Sequence, residues 1–194
     1  RVAEGAYADR AFASEARRAE LPVGPRAQAH RLAFGAVQRR RTLDWLIDHE
    51  LDRPGAVEPA VRDILRLGAF ELAYSDGVPA SAAVDQAVRL VRALPGVSRR
   101  VTARAGLVNA VLRKVAGAVQ DRLGSLGDET ADTAAITHSV PDWIARRLFE
   151  GLGVSAARAV LATVNEPAES SLRWNPLRGG RDELEAAEDA IDTL

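Results

Sequence analysis

"AVRDILRLGAFELAYSDGVPASAAVDQAVRLV", residues 60–91, is the stretch on which the fold turns. Val61, Ile64, Leu65, Gly68 and Leu72 fall at i, i+3, i+4, i+7 and i+11, one stripe of a 3.6-residue period. That spacing predicts a helix with one buried face. Gly68 costs helix propensity, so its place on the stripe points to a second helix approaching closely. "SDGVP" then breaks the chain. Ser81 is suited to cap a new helix, and Asp85 stands in its first turn, where a carboxylate favours the helix dipole. Val84, Ala87, Val88 and Val91 give this second helix its apolar face.

Outward from that centre the chain reads as helix after helix. Residues 6–20 are helix-like and weakly patterned, and Pro22 with Gly24-Pro25 ends them. A long amphipathic stretch follows, with Leu32, Val37, Leu43, Leu46 and Ile47 as core candidates beside Phe34 and Trp45, closed by Pro54-Gly55. After Pro95-Gly96, residues 101–119 read as a helix with Leu107, Val108, Val111, Leu112 and Val115 inward. Short breaks and no strand alternation argue for an all-α bundle of five or six helices over residues 1–123. "GSLGDETADTAA", 124–135, is small, polar and acidic, so 124–139 reads as a linker. "VPDWIARRLFEGLG" and "VSAARAVLATVNE" read as two short helices, with Trp143 a core anchor, and His138 is placed to contact a helix start. "SSLRWN", 170–175, is strand-like and "RDELEAAEDAI" helix-like, the opening of a small α+β unit within 140–194.

The 194 residues are 47% hydrophobic and 27% charged, enough to bury a core. No run of eighteen apolar residues suggests a membrane span, and no signal peptide is visible. The chain has no Cys, which excludes disulfides, cysteine metal sites and thiolate chemistry on it and fits a cytoplasmic setting. It has no Met and starts at Arg1, so its start reads as an internal point of a longer sequence. His30, His49 and His138 have no metal-ligand spacing. Residues 1–122 carry 20 Arg+Lys against 14 Asp+Glu (+6), and residues 123–194 carry 6 against 13 (−7). A basic first part suits a polyanion such as RNA, and an ordinary solvated surface gives the same counts.

Three stretches carry a family resemblance. "AFGAVQRRRTLDWLI" (33–47), residues 60–91 and "AGLVNAVLRKV" (105–115) resemble the NusB-type RNA-binding fold. Two groups share that domain: free-standing transcription antitermination factors, and 16S ribosomal RNA cytosine-C5 methyltransferases of the RsmB (Sun) type. "THSVPDWIARRLFEGLG" followed by "NEPAESSLRWNPLR" is similar to the segment joining the domain to the methyltransferase core, which favours the second group. The chain departs from the family at Leu107, where an aromatic is usual, and at Trp174, where a smaller apolar residue is usual.

The resemblance implies a parent enzyme that transfers a methyl from S-adenosylmethionine to cytosine C5. Cytosine C5 is a poor nucleophile, so such enzymes add a Cys thiolate at C6 and use a second Cys in product release. This chain has neither thiol, and "RGGRDE" at 178–183 lacks the spacing of a cofactor loop, so no catalytic or cofactor-binding residue is expected on it. Binding of 16S ribosomal RNA is the activity left, with no protein partner indicated. Arg39, Arg40 and Arg41 fan over roughly 200° on a helix, so two at most share a ligand; a solvated face is the plainer reading. Arg99, Arg100, Arg104, Arg113 and Lys114 form a cluster able to track phosphates. Arg173 and Asn175 lie on one side of the expected strand, and the family places their motif beside the RNA channel; a structural hydrogen bond at a domain junction is the alternative. Glu58–Arg62 and Asp85–Arg89 read as intrahelical i, i+4 pairs. A non-enzymatic antitermination factor and a plain helical interaction module remain open beside the leading reading.

Overall fold

The computed structural model describes residues 5–166. Among them are eight α-helices and no strand: α1 (Ala8–Arg18), α2 (Val23–Gln38), α3 (Arg40–Asp48), α4 (Pro59–Tyr74), α5 (Ala80–Arg92), α6 (Ser98–Gly124), α7 (Ala131–Thr137) and α8 (Asp142–Thr163), with one 3-10 turn at Pro54–Ala56. The all-α bundle expected from the sequence is what the described residues form. The expected strand Ser171–Asn175 and the α+β unit it opens lie outside the described residues. No helix of the described residues is long and apolar enough to cross a membrane.

α4 is the centre. Its stripe buries Val61, Ile64, Leu65 and Gly68, with Ala69 and Phe70 beside them. Against it pack Leu43, Leu46 and Ile47 of α3, Val84, Ala87, Val88 and Val91 of α5, and Val108, Val111, Leu112, Val115 and Val119 of α6. Gly68 does what its position suggests: a Cβ there would stand 2.5 Å from Leu112 Cδ1 and 3.3 Å from Ala87 Cβ, so α4, α5 and α6 meet where α4 has no side chain. Gly35 plays the same part on α2, where a Cβ would run into the Phe70 ring.

Several sequence expectations are corrected. The long stretch ending at Pro54 is two helices, because the backbone turns at Arg39 (φ −94°, ψ 14°). That break takes Val37 off the face of Leu43, and Val37 is 42% exposed. The seam of α6 runs through Val108, Val111, Leu112 and Val115, leaving Leu107 a hundred degrees off it and 37% exposed. Ser81 does not cap α5, since Pro79 occupies the N-cap. The stretch read as a linker holds α7, whose start is a capping box: Thr133 N donates to Thr130 Oγ1 and Thr130 N to Thr133 Oγ1, each at 3.2 Å. The two short helices expected beyond it are the halves of α8, parted at Gly153, whose φ of 75° favours glycine. Trp143 is no core anchor: α8 turns Ala145, Leu148 and Phe149 inward, and the indole is 70% exposed. His138 caps the C-terminal end of α7 and faces Asp128 Oδ2 at 3.1 Å.

α7 and α8 dock on the bundle at the first turn of α3. The free backbone N–H groups of Arg41 and Thr42 donate to Ser139 Oγ at 3.1 and 3.3 Å. The fully buried Thr42 hydroxyl donates to the Ile136 carbonyl at 2.5 Å, and Arg41 Nε donates to Asp142 Oδ1 at 2.9 Å. Ser139 takes a positive φ of 53° to present that hydroxyl, so a residue outside the bundle caps a helix inside it.

Gly68→Val is expected to destabilise the chain by about 1–3 kcal/mol through overpacking against Leu112 and Ala87. Urea unfolding followed by circular dichroism measures it; an unchanged or higher midpoint would disprove the close-approach role.

Candidate nucleic-acid interface

The basic residues of α6 divide over its faces, because their spacing is not uniform. Arg104 turns toward the start of α4. Its Nε donates to Glu58 Oε1 at 3.2 Å, one terminal nitrogen to the Pro95 carbonyl at 2.9 Å and the other to Glu58 Oε2, and its side chain is only 13% exposed. Arg100 stands 3.6 Å from the same carboxylate but stays open to solvent. The hydrogen bond from Arg104 holds the Glu58 carboxyl below its ordinary value near 4.5, with the charges of Arg104 and Arg100 adding to it. The expected Glu58–Arg62 pair is not made: Glu58 sits before α4 in extended backbone, and Arg62 Nε donates across to Asp44 Oδ1 at 3.0 Å. Arg66 completes that brace with two bonds to Asp44, at 2.8 and 2.9 Å. Asp85–Arg89 is the expected intrahelical pair, at 2.8 Å.

The opposite face of α6 is different. Thr102, Gly106, Asn109 and Arg113 recur at helical spacing and line an open groove of ≈ 1000 Å³ between α5 and α6. Arg92 lines it from α5, on a row with Ser81, Asp85 and Val88 at i+11, i, i+4 and i+7 read from Ser81. Small residues, Ala105 and Gly106 among them, leave it wide. Arg99 shares the Thr102–Gly106 spacing one turn earlier, and Lys114 neighbours Arg113. Arg92, Arg99, Arg113 and Lys114 are all exposed, and none has an acidic partner within 4 Å among the described residues. Four cations without partners, three of them on one helix, make a surface able to take phosphates.

The other expected residues lie elsewhere. Arg39 at the break and Arg40 and Arg41 in the first turn of α3 point three ways. Arg39 lies over the Tyr74 ring at 5.0 Å, Arg40 stands 3.8 Å from Asp44, and Arg41 holds Asp142. Arg173 and Asn175 lie outside the described residues. Arg92 escaped the sequence reading because only the α5–α6 packing sets it across from Arg113; the Ser81–Asp85–Val88–Arg92 row was the available signal. No group of three His, Asp or Glu residues is placed for a metal among the described residues. The described residues hold no strand followed by a glycine-rich turn.

The NusB family profile matches residues 1–117. The chain is 36% identical over 156 residues to a probable ribosomal RNA small subunit methyltransferase B of Synechocystis, covering 79% of this chain and 33% of that protein. It is 27% identical over 188 residues to the probable ribosomal RNA small subunit methyltransferase B of Bacillus subtilis, covering 92% and 39%. To the transcription antitermination protein NusB of Saccharopolyspora erythraea it is 44% identical over 97 residues, covering 48% and 62%. The chain thus spans between a third and two fifths of the two methyltransferase relatives. No solved structure matches it.

Arg104→Ala is expected to lower the melting temperature by a few degrees at neutral pH, whereas Arg113→Ala leaves it unchanged. Because the Glu58 pKa is depressed, its contribution is present above its ordinary value near 4.5 and is lost as pH falls through the lower folded value. The gap between Arg104→Ala and the parent chain therefore closes on acidification. Thermal melts across pH 3–7 measure both, and a gap independent of pH would contradict the Glu58 assignment.

Proposed function

The chain belongs to the NusB family, and from that premise we propose that it is the RNA-binding amino-terminal region of an S-adenosylmethionine-dependent 16S rRNA cytosine-C5 methyltransferase. One observation carries the choice within the family. Similarity to the two methyltransferases covers 79% and 92% of the chain, well beyond the 117 residues that the family profile matches, whereas the antitermination relative covers 48%. The extra similarity takes in α7 and α8 residues, the unit fastened to α3 by Thr42 and Ser139. On this reading residues 1–123 bind RNA, 124–139 connect, and 140–194 open the unit that leads to a catalytic domain.

The work of this region is binding and positioning. Arg92 and Arg113 in the α5–α6 groove, with Arg99 and Lys114 beside it, take phosphates of the rRNA, and Asn109 and Thr102 offer hydrogen bonds within the groove. Arg100, half released from Glu58, stands at the edge of that surface. Arg104 serves the fold instead, since Glu58 and the Pro95 carbonyl occupy its guanidinium. Arg39 and Arg40 form a separate basic point at the α2–α3 break. Methyl transfer itself needs a cysteine nucleophile, and this chain has none.

Fluorescence anisotropy with 16S rRNA fragments over a salt series tests the proposal. Arg92→Glu with Arg113→Glu is expected to weaken binding about 10-fold or more and to flatten the log–log salt slope by about 0.7–0.9 per lost phosphate contact. Unchanged affinity and slope would remove the groove from the proposal. A preference for antiterminator RNA over 16S fragments would move the chain to the other branch of the family.

A further inference from the structure

Trp143 leaves its indole 70% exposed, although a Trp side chain is among the largest a fold can bury. Its position on α8 is the reason. At 100° per residue it lies about 200° from Ala145, the fully buried residue by which this half of α8 joins the α7 cluster. Leu148 and Phe149 turn inward on either side of Ala145. The ring therefore projects from the middle of the outward face. Among the described residues no other ring packs against it and no guanidinium lies over it. The backbone beneath it is held. Arg41 Nε donates to Asp142 Oδ1 at 2.9 Å, and the Ile144 and Ala145 amides close the first turn on the Pro141 carbonyl at 2.9 and 3.2 Å. That bond sets the start of α8 beside the first turn of α3, the turn that carries the exposed Arg40. A ring fixed in this way binds with little ordering cost.

The neighbours of the ring select what covers it. Arg146 and Arg147 stand one turn on, and Glu150 two turns on. Arg146 donates from Nε and one terminal nitrogen to Asp132 Oδ1 at 3.2 and 3.0 Å, Arg41 takes up Asp142, and Glu150 attracts Arg146. Arg147 is exposed and has no acidic partner within 4 Å among the described residues. The core of a protein–protein contact is depleted of charge and rich in apolar neighbours. A lone indole among Arg146, Arg147 and Glu150 has no such surround. An unpaired nucleobase needs less: one open ring face to stack on, and a cation for the phosphate beside it.

We propose that Trp143 is a stacking platform for one unpaired base of an RNA loop, with Arg147 on the adjoining phosphate. The inference rests on the RNA-binding reading and adds to it a second site, on the α7–α8 unit instead of the bundle. The two sites differ in kind. The α5–α6 groove has no aromatic residue in its lining and takes backbone phosphates, which a duplex offers as well as a loop. The indole takes a base, and a paired base has no free face to give.

Fluorescence anisotropy of the full 194-residue chain with two labelled RNAs tests it: a 16S rRNA hairpin with an unpaired loop, and a closed duplex of the same stem. Trp143→Ala is expected to weaken hairpin binding about 10-fold while leaving duplex binding and the log–log salt slope unchanged, because stacking releases no counterions. Trp143→Phe should recover most of the loss, and Arg147→Gln should flatten the hairpin slope by about 0.7. Since the indole is exposed, Trp143→Ala keeps the parent melting temperature. Parent-like hairpin binding by Trp143→Ala would overturn the proposal and leave the groove reading standing. Equal losses on hairpin and duplex would overturn it too. Failure of the unsubstituted chain to bind either RNA would sink both readings. Self-association that Trp143→Ala abolishes, with hairpin binding unchanged, would overturn the proposal and give the ring to a second copy.

Discussion

A single hydrogen in place of a side chain at position 68 decides how close α5 and α6 come to α4. Leu112 and Ala87 fill the space a Cβ would need. Because α4 is buried along one whole stripe, the helices that touch it inherit their positions from that contact. α3 is held to the other flank by Asp44, which takes hydrogen bonds from both Arg62 and Arg66. The α5–α6 groove is a consequence: two helices that both lean on α4 diverge on their outer side, and the small residues facing outward leave the gap open. Arg92 and Arg113 face each other across it only because of that packing.

The attachment of α7 and α8 follows a different principle. No large apolar interface joins them to the bundle. Instead the first turn of α3 has unpaired N–H groups, and Ser139 supplies the oxygen they need. Polar bonds of that kind are directional, so they fix orientation more than they add stability. The positive φ at Ser139 marks the cost of placing the hydroxyl there. The result is a directional joint between the bundle and the α7–α8 unit, carried by Thr42, Arg41 and Ser139.

The parts of this architecture legible in the sequence were those set by local period. The α4 stripe, the apolar face of α5 and the role of Gly68 needed only helical spacing. The break at Arg39 was hidden because no Pro or Gly marks it; the partner that caps the new helix lies about a hundred residues away, at Ser139. α7 was hidden by its own composition, since alanine and threonine read as linker but also make a capped helix. The basic cluster on α6 was found as a list and not as a surface. Arg104 and Arg113 look alike in sequence, and only the position of Glu58 separates a brace from a free cation. Trp143 opens an amphipathic helix, which alone suggests core, yet the seam lies on the other side of that helix and the indole is exposed.

Ultraviolet cross-linking of the chain to 16S rRNA, with peptides mapped by mass spectrometry, addresses the RNA-binding assignment most directly. Cross-links are expected in the peptides around Arg92 and along residues 99–114, on both walls of the groove. Cross-links confined to α1 and α2, or none above a control RNA, would contradict it.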